Sequence, residues 1–421
     1  MNVLINPSRL SGSILIPPSK SQSHRAIIAA SLAKGKSVIN NVIMSDDVLA
    51  TIAAMEKIGV KIVRNNHQLI IQGISRITVA DDNFVDCNES GSTIRFLIPL
   101  LSLSKQKIVL TGKSCLFKRP MGVYDQLFKE RGLFFQQSDK SIIINGALPA
   151  DHYQIPGNVS SQFVSGLLFS LPLQKENSTI EIIGELESKE YVDMTVEVLR
   201  QFGVTINVSD NGYSIPGNQH YHPAHITIEG DYSQMAFFAT AGLLCGGLTC
   251  KGMTRESLQP DRKILDFIES MNGYYTWKQS EIEFHYSNTI GTTIDVSQSP
   301  DIAPILAVLG ALSAGKTIIE NAQRLKFKES NRLSSTYETL KQMNIDVQMT
   351  DSSLIIEGRP MIDGGVFESF NDHRIVMAIA IAAIRANNPV LIKNAEAVNK
   401  SYPNFFQDYQ NLGGNVTIIE E

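Results

Sequence analysis

The feature that most constrains this chain is a period of about 70 residues, the kind of fixed spacing that marks a repeated architecture. Six short β-branched runs carry it: SVINN, KIVLTG, STIEIIG, LTCKG, TIIEN and VLIKN, closing on Asn41, Gly112, Gly184, Gly252, Asn321 and Asn394. Each run follows a stretch of small and apolar residues of helical length. Amphipathic segments such as DDVLATIAAMEKIGV, YVDMTVEVLRQFGV and RLSSTYETLKQMNI occupy a second phase of the same repeat, with apolar residues at helical spacing. Gly59, Gly132, Gly203, Gly273, Asn344 and Gly413 sit where those helices must stop, and most are followed by paired strand-like runs, as in KIVRNNHQLIIQG. The unit reads as helix, strand, helix, hairpin, which makes this an α/β chain of six repeats.

A solenoid with no chemistry would account for the period alone. The polar residues argue against it. A polar group stands before each apolar helix: KSQSHR, NESGST, NVSSQ, DYSQM, QSPDI and NDHR. Helix N-termini carry unsatisfied N–H groups and the positive end of the dipole, a geometry suited to phosphates and carboxylates. Cations gather at the same junctions: Lys20 and Arg25 after two prolines, Arg119 before Pro120, Arg332 in KFKESNRL, Arg374 in FNDHRIVMAI and Lys400 in NKSYPNFF. Arg374 opens a helix of almost wholly apolar residues, so it needs an anionic partner. Asp301, Glu329 and Asp372 lie among these cations, where a carboxylate can cap, pair or move a proton. His373 fits a structural or a functional role.

Several function classes drop out. The net charge of −5 gives no bulk attraction to nucleic acid, so any anionic ligand is held locally. The N-terminus lacks the pattern of a secretory signal and no apolar run is long enough to span a membrane, which makes a cytoplasmic location the expectation. Cys87, Cys115, Cys245 and Cys250 form no CxxC pair, so reduced thiols are expected rather than a zinc site or disulfides, with Cys115 buried as a small hydrophobe. Gly310 to Thr317, GALSAGKT, satisfies the P-loop pattern. A P-loop needs a strand before it and a helix after it, whereas here the helical pattern comes first and TIIENA follows. A non-catalytic nucleotide-binding module would rest on that match alone.

PPSKSQSHRA, SGSTIRF, KRPMG, SSQF, KFKESNRL, NDHR and KSYPNFF occur in the order seen in 5-enolpyruvylshikimate-3-phosphate synthases, and over nearly its whole length the chain resembles that family. The resemblance implies two similar domains, 1–18 with 230–421 and 19–229, each of three βαβαββ-type units with buried helices, forming an inside-out α/β barrel. It places the active site in the cleft between them. The implied reaction moves the enolpyruvyl group of phosphoenolpyruvate to the 5-hydroxyl of shikimate 3-phosphate, through a tetrahedral intermediate, and releases phosphate. It implies no cofactor and no metal, no nucleic-acid or membrane partner, and a monomer.

By the same resemblance Lys20, Gly91, Arg119, Gln162, Arg332, Arg374 and Lys400 bind phosphoenolpyruvate. Lys20, Ser21, Arg25, Ser160, Ser161, Gln162, Ser188, Tyr191, Asp301 and Lys328 bind shikimate 3-phosphate. Asp301, Glu329 and Lys20 are the implied catalytic groups. Three residues depart from the family pattern: Glu89 stands where Asn is common, Asn331 where Asp is usual, and Glu190 where Pro is commoner. Glu89 would repel phosphoenolpyruvate, and alter sensitivity to glyphosate in that subsite, unless it points away or pairs with a lysine. The related transferases acting on UDP-N-acetylglucosamine share the six-unit plan and use a loop cysteine as acid. Cys115 invites that comparison, but SKSxSxR, SSQ, KESxR and NDHR together are not expected there.

Overall fold

The computed structural model describes residues 1–79 and 82–419. The chain divides into two compact units, a discontinuous one, Met1–Pro17 with Glu229–Glu421, and an inserted one, Pro18–Ile228.

Each unit is built around three buried helices. In the inserted unit they are Lys20–Leu32, Gly91–Ser102 and Ser161–Ser170. In the discontinuous unit they are Tyr232–Cys245, Ala303–Ala311 and His373–Ala382. Every residue of His373–Ala382 is buried, and a helix apolar on all sides is stable only when surrounded. The buried helices approach closely: the Phe96 and Phe169 rings lie 5.5 Å apart, and a side chain at Gly166 would run into the Arg95 carbonyl, so glycine there permits near-backbone packing. The amphipathic segments form outer helices with one face buried; Lys189–Gln201, for example, covers Val192, Thr195, Val198 and Leu199.

Among the described residues six four-stranded sheets share one plan. In one, Thr293–Asp295 runs parallel to Lys316–Glu320, which pairs antiparallel with Leu354–Glu357, itself antiparallel to Asp346–Met349. The repeat is therefore βαβαββ-like. The leading strand is absent from the helix, strand, helix, hairpin reading because runs such as Phe84–Asp86 and Thr293–Asp295 span three residues, too few for alternation to register. Strands distant in sequence supply missing pieces. Asn2–Asn6 lies between Val390–Lys393 and Asn415–Ile419, antiparallel to both. Gly12–Leu15 is the parallel partner of Leu248–Lys251, and His225–Thr227 that of Gly35–Asn40.

One helix stop moves. Asn272, with φ 62°, takes the left-handed position after Ile264–Ser270, and the residue expected there, Gly273, does not have positive φ. Asparagine is the side chain that best tolerates that conformation. The P-loop-like segment ends helix Ala303–Ala311 and opens strand Lys316–Glu320, with Gly315 left-handed between them. Among the described residues no helix is long and apolar enough to cross a membrane.

Candidate active site

In the discontinuous unit the loop GluSerAsn before helix Arg332–Gln342 and the heads of two buried helices bring opposite charges together. Arg332 is fully buried. Its Nε donates to Asp372 Oδ2 at 2.9 Å, Nη1 to Asp301 Oδ1 at 3.1 Å, and Nη2 to Asp372 Oδ1 at 3.1 Å and to Glu329. Asp301 also meets Lys328 Nζ at 2.9 Å and Arg374 Nη2 at 3.1 Å. Asp372 caps helix His373–Ala382 through the Arg374 N–H at 3.0 Å and accepts the Ser330 hydroxyl at 3.0 Å. Lys400 Nζ donates to the Asn371 carbonyl at 2.8 Å, which brings it to the same helix head.

The charges of this cluster set one another. Burial pushes the Asp301 carboxyl up, but Arg374, Lys328 and Arg332 outweigh it and hold it well below the usual carboxylate range. Burial disfavours the Arg332 charge, yet Asp372, Glu329 and Asp301 hold its proton more tightly than an ordinary arginine's. Burial lowers Lys328, partly offset by Asp301. Nearby, Asp261 accepts the Ser233 hydroxyl, and burial together with the like charge of Asp301 pushes its carboxyl up to about 6.

The inserted unit holds its cations differently. Arg25, on helix Lys20–Leu32, donates from Nε to Thr195 Oγ1 at 2.7 Å, from Nη1 to the Ser21 carbonyl at 2.8 Å and from Nη2 to the Tyr191 carbonyl at 2.9 Å. Its guanidinium lies 5.0 Å from the Phe96 ring centre and 5.8 Å from that of Tyr191. Burial brings it down to about 10. Lys20 pairs with Asp47 at 2.7 Å. Gln162 accepts from Arg95 at 2.7 Å and donates to Ser92 at 2.9 Å. Ser160 caps helix Ser161–Ser170, its hydroxyl accepting the Gln162 N–H. Ser188 is buried and left-handed, with φ 56°, ahead of helix Lys189–Gln201.

A Cβ at Gly91 would collide with the Arg119 guanidinium, so this arginine lies against the bare backbone at the head of helix Gly91–Ser102. Glu89 pairs with Lys113 at 2.9 Å, which meets the condition set by its place beside the anion loop. Cys115 is a correction: it is partly exposed on the short helix Ser114–Phe117, whose buried side chains are Leu116 and Phe117. Cys87, Cys245 and Cys250 are buried free thiols.

Asp47, Arg95, Thr195 and Asp261 take part in these networks without having stood out in the sequence. Asp47 carried a faint signal as the second acid in the first turn of helix Asp46–Lys57. Thr195 carried none, because its partner Arg25 is 170 positions away. Among the described residues no group of three or more His, Cys, Asp or Glu side chains is arranged to hold a metal ion.

Comparison with known proteins bears on this arrangement. The family described as EPSP synthase (3-phosphoshikimate 1-carboxyvinyltransferase) matches residues 4–409. A 3-phosphoshikimate 1-carboxyvinyltransferase of Clostridium kluyveri is 45% identical over 98% of this chain and 98% of its own, and one of Clostridium perfringens is 42% identical with the same coverage. The solved EPSP synthase of Acinetobacter baumannii superposes with a TM-score of 0.83 at 25% identity, over 99% of this chain and all of that one. With seven motifs in order and a match over nearly its full length, the chain belongs to the EPSP synthase family of enolpyruvyl transferases.

Proposed function

We propose that the chain transfers the enolpyruvyl group of phosphoenolpyruvate to the 5-hydroxyl of shikimate 3-phosphate and releases phosphate, dividing the work between two sets of residues. The observation that carries this reading is the Asp301 cluster, in which one carboxylate is shared by Lys328, Arg332 and Arg374 beside a second carboxylate, Glu329. Such a cluster offers cations to an incoming anion and carboxylates to a moving proton.

In this reading Arg332, Arg374, Lys400, Arg119, Lys20, Gln162 and the bare backbone at Gly91 hold phosphoenolpyruvate. Arg25, Lys20, Ser21, Ser160, Ser161, Gln162, Ser188, Tyr191, Asp301 and Lys328 hold shikimate 3-phosphate. The 5-hydroxyl loses its proton as its oxygen attacks C2, and C3 gains one. The tetrahedral adduct then expels phosphate as the new methyl group loses a proton. Asp301 takes the hydroxyl proton, while Glu329 and Lys20 serve the carbon.

An Asp301 held by three cations is ionised but weakly basic. Substrate anions that draw Arg374 and Lys328 toward themselves raise its proton affinity at the moment the hydroxyl must be deprotonated. The bond broken joins carbon to oxygen, so arginine and lysine suffice to neutralise the departing phosphate. Closure of each unit's sheets around its helices as an inside-out barrel, action as a monomer and a cytoplasmic setting belong to the same reading.

The test is phosphate release from phosphoenolpyruvate with shikimate 3-phosphate or UDP-N-acetylglucosamine as acceptor, with and without a chelator. Release with shikimate 3-phosphate, unchanged by chelator, is expected. Release with the sugar nucleotide alone would overturn the reading.

A further inference from the structure

A histidine and three hydroxyls, all fully buried in the inserted unit, form a single hydrogen-bonded line. His24, on helix Lys20–Leu32, meets Thr51 Oγ1 through Nδ1 at 2.7 Å. Thr51, on helix Asp46–Lys57, meets Thr93 Oγ1 at 2.6 Å. Thr93 Oγ1 donates to Ser90 Oγ at 2.7 Å, and Ser90 caps helix Gly91–Ser102 by accepting the Thr93 N–H at 3.2 Å. Burial, with the like charges of Lys20 and Arg25, holds His24 well below the usual histidine range, so its ring is neutral.

One proton per hydroxyl fixes the direction of the line. Thr93 gives its proton to Ser90; the other acceptor in its reach, the Asp47 carbonyl at 3.5 Å, is too distant to compete. The contact between Thr51 and Thr93 is therefore made by the Thr51 proton. With that proton committed, Thr51 can only accept from His24, whose neutral ring must carry its hydrogen on Nδ1. The bare nitrogen is then Nε2, which is buried without a hydrogen-bond partner among the described residues. At the other end Ser90 accepts twice, and among the described residues nothing accepts the proton of Ser90 itself. That oxygen stands at the head of helix Gly91–Ser102, beside first-turn N–H groups that have no partner within the helix. A Cβ at Gly91 would also meet the guanidinium groups of Arg119 and Arg95.

We propose that Ser90 donates its hydroxyl proton to phosphoenolpyruvate at the head of helix Gly91–Ser102, and that His24, acting through Thr51 and Thr93, is a positioning residue that keeps that proton turned toward the anion. This rests on the reading that the bare backbone at Gly91 holds phosphoenolpyruvate. Without the Thr51 proton, Thr93 is free to accept from Ser90 and to turn its own proton to the Asp47 carbonyl. The anion then loses a charge-assisted hydrogen bond.

The direction of the line is read from the histidine itself. In two-bond proton–nitrogen correlation spectra of the histidine-labelled protein, the ring signal lost in His24→Gln should be that of a neutral imidazole protonated on Nδ1. A ring protonated on Nε2 runs the line the other way, commits the Ser90 proton to Thr93 and overturns the proposal.

Its consequence for binding is read from steady-state phosphate release at saturating shikimate 3-phosphate, for wild type, Ser90→Ala, Thr51→Val and Thr51→Ser. Ser90→Ala should raise KM for phosphoenolpyruvate about tenfold, the loss of one hydrogen bond to a charged group, and Thr51→Val about threefold, with kcat and KM for shikimate 3-phosphate within about twofold. Thr51→Ser keeps the hydroxyl and should return KM to the wild-type value. Valine keeps the shape of threonine and serine does not, so a role in packing alone predicts the opposite order. A Thr51→Val variant with wild-type KM, or a Thr51→Ser variant as impaired as Thr51→Val, overturns the proposal. Should Ser90→Ala fail to fold for want of its cap, the Thr51 pair decides by itself. Failure of wild type to release phosphate with shikimate 3-phosphate would count against the functional reading, and the His24 tautomer would still decide the direction of the line.

Discussion

Arg25, in the second turn of helix Lys20–Leu32, and Arg332, the first residue of helix Arg332–Gln342, are both buried, and their surroundings differ in kind. In the inserted unit Arg25 is satisfied by a threonine hydroxyl and two backbone carbonyls. In the discontinuous unit Arg332 is locked by Asp301, Glu329 and Asp372. A buried cation with neutral partners keeps its full attraction for an anion, because desolvation has not been repaid by an opposite charge. A buried cation among carboxylates is stable in place and makes those carboxylates responsive to any new charge. The first arrangement suits holding a phosphate that does not react, and the second suits moving protons around one that does.

The largest effect should come from Asp301→Asn, which removes the carboxylate shared by three cations. Turnover should fall about a thousandfold, within the range general acid–base groups contribute, while both substrates still saturate; rapid-quench measurement of phosphate release checks this. Arg332→Met should cost about 3–5 kcal/mol in folding stability, read from denaturant midpoints, because it leaves the fully buried Asp372 carboxylate without its partner. Glu329→Gln should lower kcat about a hundredfold, with KM nearly unchanged. Arg25→Gln should raise KM for shikimate 3-phosphate about tenfold or more, the loss of one charge-assisted contact, and leave kcat within a few-fold. Lys113→Ala should do least to stability, since this lysine is 66% exposed and surface pairs are weak. It should still weaken phosphoenolpyruvate binding several-fold by taking one cation from beside Glu89.

Much of this was legible in the chain because the repeat is written in local chemistry. Turn residues, apolar helices and β-branched runs each leave a pattern within a dozen positions, and polar heads of the apolar helices became real caps at Ser90, Ser160, Asp231 and Asp372, whereas the first helix is capped by Ser19, just ahead of KSQSHR, and QSPDI supplies no side-chain cap. What was not legible depends on distance along the chain or on brevity. Asp47 reaches Lys20 across 27 positions and Thr195 reaches Arg25 across 170. Leading strands such as Phe84–Asp86 and Thr293–Asp295 are too short to show alternation, and Asn2–Asn6 pairs with a strand at the other end of the sequence. Asp261 reads as an ordinary acid after a proline until Ser233 and Asp301 are brought beside it. Cys115 reads as a small hydrophobe, yet it faces partly outward because Leu116 and Phe117 fill the core at that short helix.

The division between holding and reacting is tested most directly by one steady-state measurement, phosphate release against shikimate 3-phosphate concentration for Arg25→Gln and Asp301→Asn side by side. The account predicts a raised KM with nearly intact kcat for the first, and a collapsed kcat with nearly intact KM for the second. Full turnover in Asp301→Asn, or a collapse of kcat in Arg25→Gln with KM unmoved, would contradict it.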